Sequence, residues 1–157
     1  MHAPTLPDDF RDFLVALADA EVDFLLIGGF ALAAYGYTRS TDDLDVLVRP
    51  SPENAQRVFA ALASFGAPVQ QHGIRPDDFA RAGYGYRMGI KPVCIEILTT
   101  IDGLDFDAAS VGKRRLEIDG RSVPVIAKKP LIVNKRAAGR PKDLGDVEWL
   151  EANISDD

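Results

Sequence analysis

Apolar positions along this chain change their period several times, and each change predicts an element. Phe10, Phe13, Leu14 and Leu17 recur at i, i+3, i+4 and i+7, which makes one apolar helix face. Pro7-Asp8-Asp9 opens that helix, with carboxylates in the first turn, where the helix dipole favours them. Val22 to Ile27 is a short apolar run of the kind a buried strand needs. It ends in Gly28-Gly29, and Phe30 to Tyr35 then predicts a short helix closed by Gly36. Tyr37 to Asp42 reads as a polar loop and Asp43 to Val48 as a second strand, stopped by Pro50. Ser51 as N-cap and Pro52 at the first helical position begin a further helix, with Val58, Phe59, Leu62 and Phe65 as its core stripe and Gly66 as its end.

The second half is punctuated differently. Residues 67–85 predict mostly loop, with one helical turn near Pro76 to Ala82. Tyr86 to Ile90 and Val93 to Leu98 predict two strands flanking Lys91-Pro92. Arg114 to Ile118 and Ser122 to Ile126 surround Asp119-Gly120, the signal of a hairpin with a type I′ turn. Pro124 lacks an N–H, so its strand is expected at a sheet edge. Lys129 to Ala138 predicts a helix ended by Gly139, and Pro141 starts another, with Leu144, Val147 and Leu150 on one face. This order predicts an α+β fold: a short mixed β-sheet flanked by helices, with a C-terminal helical pair. The 157 residues are expected to form one domain, its core over about 20–126 and its basic helices over about 128–153.

Composition narrows the class. Apolar residues make up 46% of the chain, enough for a core, and no run approaches the ~18 residues of a membrane span. MHAPTLPDDF lacks the basic and apolar regions of a secretory signal, and the lone Cys94 forms no internal disulfide, so a cytoplasmic location is expected. His2 and His72 stand far apart with no cysteine beside either, which argues against zinc. The net charge of −6 does not suit a molecule coated in nucleic acid. Its distribution is uneven: ten of the 18 Lys and Arg fall between Lys113 and Lys142, with only two acids, Glu117 and Asp119, among them. An acidic part would thus complement a basic, phosphate-holding part; a solvated basic helix is the alternative.

Candidate chemistry begins at Asp43 and Asp45. Strand side chains alternate, so these two carboxylates point the same way. At ~5 Å and an effective dielectric of about 20, their repulsion is about 3 kcal/mol. A divalent cation reverses that sign, and Mg²⁺ is commonly held by one or two carboxylates plus substrate phosphates. Asp42 points away by strand parity and reads as a loop residue; Asp102, Asp105 and Asp107 read as a turn and a helix cap.

Gly28, Gly29, Asp43 and Asp45 together resemble the first motif of the nucleotidyltransferase superfamily that includes DNA polymerase β, the kanamycin nucleotidyltransferases and the small MNT proteins: Gly-Gly or Gly-Ser, about ten residues, then Asp-x-Asp. The second position is Gly29 rather than the more common Ser, and Ser40 or Thr41 is expected to supply the hydroxyl. The superfamily places a third carboxylate on a later apolar strand, where this chain has Glu96 rather than the more frequent Asp. As the only charge in Val93 to Leu98, Glu96 is costly to bury unpartnered; a solvent-facing strand position is the alternative. Lys135, Arg140, Lys142, Asp143 and Asp146 resemble the C-terminal motif of small stand-alone relatives, including the AbiEii-type toxins.

The resemblance implies a metal-dependent transferase using two Mg²⁺ ions, or Mn²⁺ in their place. Asp43, Asp45 and Glu96 would be catalytic and hold the metals. Gly28, Gly29, Arg39, Ser40, Lys135 and Lys142 would bind an NTP such as ATP. The acceptor would be a protein, an RNA such as tRNA, or a small molecule, and the partner a cognate toxin or antitoxin. A homodimer would close the cleft that so small a domain leaves open. The other reading is a regulatory, antitoxin-like protein that keeps the fold without turnover. For Arg39 the alternative is a surface arginine, and for Lys142 a surface i, i+4 pair with Asp146.

Overall fold

The computed structural model describes residues 1, 3–90 and 93–156. The Lys91-Pro92 link and His2 lie outside the described residues. Six strands, β1 (Phe24–Ile27), β2 (Asp43–Val48), β3 (Gly85–Ile90), β4 (Val93–Leu98), β5 (Arg114–Ile118) and β6 (Arg121–Val125), form one mixed sheet in the order β3-β4-β2-β1-β6-β5. The helices are α1 (Asp8–Asp19), α2 (Gly28–Ala34), α3 (Pro52–Phe65), the short α4 (Phe106–Ala109), α5 (Lys128–Ala138) and α6 (Pro141–Asn153). A 3-10 turn spans Pro76–Ala80. This is the expected mixed core with its C-terminal helical pair. Among the described residues no helix is long and apolar enough to cross a membrane.

The centre of the sheet places the site. β1 and β2 are antiparallel, with Ile27 opposite Asp45; β2 and β4 are parallel, with Asp43 opposite Cys94 and Asp45 opposite Glu96. Alternation then sends Leu44, Val46, Ile95 and Ile97 to the other face, where all four are buried. Phe10, Phe13, Leu14 and Leu17 of α1 join that core, as the helical spacing predicts. Ser51 caps α3 by accepting the Asn54 N–H, and Gly66 ends it in the left-handed conformation. Asp119 and Gly120 both take positive φ, 49° and 78°, as a type I′ turn requires.

Four local expectations are corrected. β1 begins at Phe24 rather than Val22, because the chain turns through Glu21 at φ 58° before extending. The second helix starts at Gly28, so the diglycine is its first turn rather than a bend before it. β6 is interior, not an edge: it joins β1 by one parallel register pair, Leu26 with Val125, and the link runs from the Ile126 N–H to the Leu26 carbonyl, beyond Pro124. On α6 the buried positions are Asp143, Asp146, Val147 and Leu150, while Leu144 is 48% exposed. The helix turns two carboxylates inward because cations wait there.

Candidate active site

Gly28 takes φ 69°, a conformation that glycine adopts without strain. A Cβ at this position would lie 2.5 Å from Asp45 Oδ2, so the missing side chain is what lets the start of α2 approach the carboxylate. Gly29 is bare for a different reason. A Cβ there would run into the Thr41 side chain, whose Cβ would be 2.7 Å away. Thr41 thus brings a hydroxyl from the loop to the place where a side chain at position 29 would begin, and that hydroxyl donates to the Asp43 carbonyl at 3.4 Å.

The β2–β4 register sets Asp43, Asp45 and Glu96 on one face of the sheet. Arg87 of β3 lies opposite Glu96 in the antiparallel β3–β4 register and reaches the same face. It donates to Glu96 Oε2 at 3.0 Å and to Asp43 Oδ1 at 3.2 Å.

A second charged cluster stands where α5 and α6 meet the loop before β2. Lys135, 5% exposed, pairs with Asp146 at 3.0 Å and with Asp143 at 3.4 Å. Arg39 donates to both oxygens of Asp146, from Nε at 2.8 Å and from its second guanidinium nitrogen at 3.0 Å. Arg140 does the same to Asp143, at 2.6 and 3.2 Å, with its backbone N–H adding a third bond at 3.3 Å. Both clusters line one cleft of about 540 Å³, within the about 300–1,000 Å³ of small-molecule sites. Gly28, Gly29, Ser40 and Lys142 line it too.

This architecture recurs in solved structures. A nucleotidyltransferase candidate from Thermotoga maritima matches with a TM-score of 0.56 and 19% identity, over 95% of this chain and 92% of that one. The antibiotic-resistance factor ANT(2'')-Ia matches with 0.57 and 16%, over 94% and 83%. An antigenic nucleotidyltransferase-like protein from Paracoccidioides brasiliensis matches with 0.52 and 16%, over 97% and 78%. The fold is nucleotidyltransferase-like. At these identities the likeness is one of fold alone. No protein-family model matches the sequence, and no curated protein matches it.

In this nucleotidyltransferase-like frame, every residue expected to bind nucleotide or metal lies along the same cleft. Their pairings add what the sequence left open. Lys135 lines the cleft and is held, buried, between two carboxylates. Asp146 pairs with Arg39 and Lys135 rather than with Lys142. Asp105 caps α4 by accepting the Ala108 N–H at 2.7 Å, as its spacing suggested. Tyr86 is buried on the opposite sheet face, where its hydroxyl meets His72 Nδ1 at 2.8 Å. Arg87 escaped sequence reasoning altogether; the signal for it was the strand parity of Gly85, Arg87 and Gly89 against Glu96.

The carboxylates fit a divalent ion in donor type, number and shared face. Their present arrangement is another matter: among the described residues no group of three His, Cys, Asp or Glu side chains is arranged to hold a metal ion. Arg87 is paired with both Asp43 and Glu96 in this arrangement. Asp45 takes no part in that pairing. Burial, then Glu96, then Asp43 push its carboxyl up to about 6, against the opposing pull of Lys135 and Arg87. Asp143 goes the other way. Burial works to raise it, but the Arg140 hydrogen bonds and the charge of Lys135 hold it below the usual carboxylate range.

Proposed function

We propose that this protein transfers a nucleotidyl group from a nucleoside triphosphate to an acceptor hydroxyl. One observation carries the reading: Asp45 sits directly opposite Glu96 in register and against the side-chain-free Gly28, at the cleft floor. Gly28 and Gly29 carry no side chains of their own, so their backbone N–H groups would be the ones to meet phosphate oxygens. Lys142 is exposed at the cleft wall and forms no ion pair among the described residues, which leaves it to meet phosphate charge. The acceptor oxygen attacks the α-phosphorus, the bond to the bridging oxygen breaks, and pyrophosphate leaves. Asp45, the carboxylate of the shared face that Arg87 does not pair with, takes the acceptor proton at its carboxylate oxygen. Asp43, Asp45 and Glu96 are the residues that would hold Mg²⁺ or Mn²⁺, which when bound neutralises phosphate charge and acidifies the hydroxyl.

Protein, RNA 3′ ends and small molecules are the acceptor classes. The pattern Lys135, Arg140, Lys142, Asp143 and Asp146 supports an AbiEii-like setting with a toxin or antitoxin partner. Incubation with α-labelled NTPs, Mg²⁺ and a cell lysate tests the proposal: label transferred to an acceptor, with pyrophosphate released, is the expected result. Absence of both transfer and NTP affinity refutes it. A second reading is favoured by the Arg87 pairs: a nucleotide-binding protein without turnover. NTP would then raise the melting temperature, by the equivalent of about 2.7 kcal/mol at 100 times its Kd, with no pyrophosphate released.

A further inference from the structure

The cation that meets Asp43 and Glu96 in this structure is part of the chain. Arg87 spans Glu96 and Asp43 with two nitrogens of one guanidinium, at 3.0 and 3.2 Å. It stands on β3, one of the two edge strands of the sheet. Its side chain is 45% exposed, against 30% for Asp43 and 28% for Glu96, so water already reaches one side of the pair. Gly85 and Gly89 flank Arg87 on the same strand face, so no neighbouring side chain of β3 fences it in. The guanidinium can therefore leave by side-chain rotation alone, with the sheet register intact.

We propose that Arg87 is a displaceable internal counter-ion that competes with divalent metal for Asp43 and Glu96. This rests on the reading of Asp43, Asp45 and Glu96 as metal-holding residues and adds a regulation of that same site. A divalent ion reaches two of its three carboxylates only after breaking both arginine pairs, so metal binds weakly to the protein alone. Once released, the guanidinium needs a new anionic partner, and triphosphate oxygens match its planar fork. Nucleotide thus stabilises the displaced arginine, and metal and nucleotide strengthen each other's binding.

The test is a Mn²⁺ titration of the intact protein and of Arg87→Gln, read by the electron-resonance signal of free Mn²⁺ without nucleotide. The variant is expected to bind Mn²⁺ about tenfold more tightly, the order set by loss of two partly exposed ion pairs. Arg87→Lys, which offers one point charge instead of a fork, should fall between the two. A non-hydrolysable NTP analogue should tighten Mn²⁺ binding to wild type and do so much less in Arg87→Gln. Melting without metal gives an independent readout: Arg87→Gln melts lower than wild type in EDTA and gains more from Mn²⁺. Equal Mn²⁺ affinities, or no Mn²⁺ binding by either protein, overturn the proposal. Tighter binding by the variant in a protein that releases no pyrophosphate would sustain this inference while refuting the transferase reading.

Discussion

Two charged clusters face the same cleft and behave oppositely. On the sheet, Asp43 and Glu96 share one partly exposed guanidinium, and Asp45 beside them has no cation paired to it. On the helices, Asp143 and Asp146 are surrounded by Lys135, Arg39 and Arg140, and both are at most 1% exposed. Asp45 and Asp143 make the contrast sharpest. Burial raises both; like charges carry Asp45 further up, whereas cations bring Asp143 back below its usual value. Charge that is matched inside the protein makes a strut, and charge left in surplus at a cleft makes a place for an incoming cation.

The strongest way to break this comparison is at Asp146. Asp146→Ala removes the shared partner of Lys135 and Arg39 and leaves a buried ammonium under-compensated. A loss of about 3–5 kcal/mol is expected in urea denaturation. If the helical cluster is only a surface network, the loss will be under about 1 kcal/mol.

Asp43→Asn probes the sheet cluster by activity. Transfer should drop by at least about 100-fold while urea stability changes little, since a metal-holding residue contributes to chemistry rather than packing.

Asp45→Asn separates the clusters by pH. The folded carboxyl titrates near 6 against 3.8 for its unconstrained form, so the native state holds the proton more tightly. The stability this contributes is complete below about 4 and disappears as pH rises through about 6. In metal-free buffer the variant should therefore match wild type near pH 4 and exceed it by about 3 kcal/mol above pH 7. Asp143→Asn should show the reverse. Its carboxyl is depressed, so the stability at stake is present at neutral pH and fades in acid, and the variant's deficit shrinks below about pH 4.

The mildest change is Lys142→Ala. Stability should stay within about 0.5 kcal/mol, because the side chain is exposed and unpaired among the described residues. Nucleotide affinity, measured by calorimetry, should fall several-fold. Unchanged affinity would remove Lys142 from the phosphate-binding part of the cleft.

What could be read from the sequence follows from how far each inference had to reach. Asp43 and Asp45 needed only strand alternation within one segment. Glu96 needed one more step, a lone charge in an apolar run, and the parallel β2–β4 register puts it opposite Asp45. Arg87 required the register of two strands joined through Lys91-Pro92, which composition does not give. Asp143 and Asp146 were hidden because helical periodicity treats carboxylates as solvent-facing. Their burial depends on Arg39, 107 residues from Asp146 in sequence, and on Lys135. The same blindness put Leu144 in the core. Pro124 misled because the edge rule assumes a full ladder, and β6 meets β1 at a single register pair.

The Arg39–Asp146 link also has a temporal side. During synthesis, Asp43, Asp45 and Glu96 leave the ribosome well before α6 does, so the acidic floor can be assembled while its entrance hangs loose. Until α6 docks, Arg39 in the segment from Tyr37 to Asp42 lacks its carboxylate, although the Cys94 N–H can already hold the Asp42 carbonyl. A nascent chain halted before Asp146 would carry Asp43, Asp45 and Glu96 and lack the carboxylate that fixes Arg39 beside them.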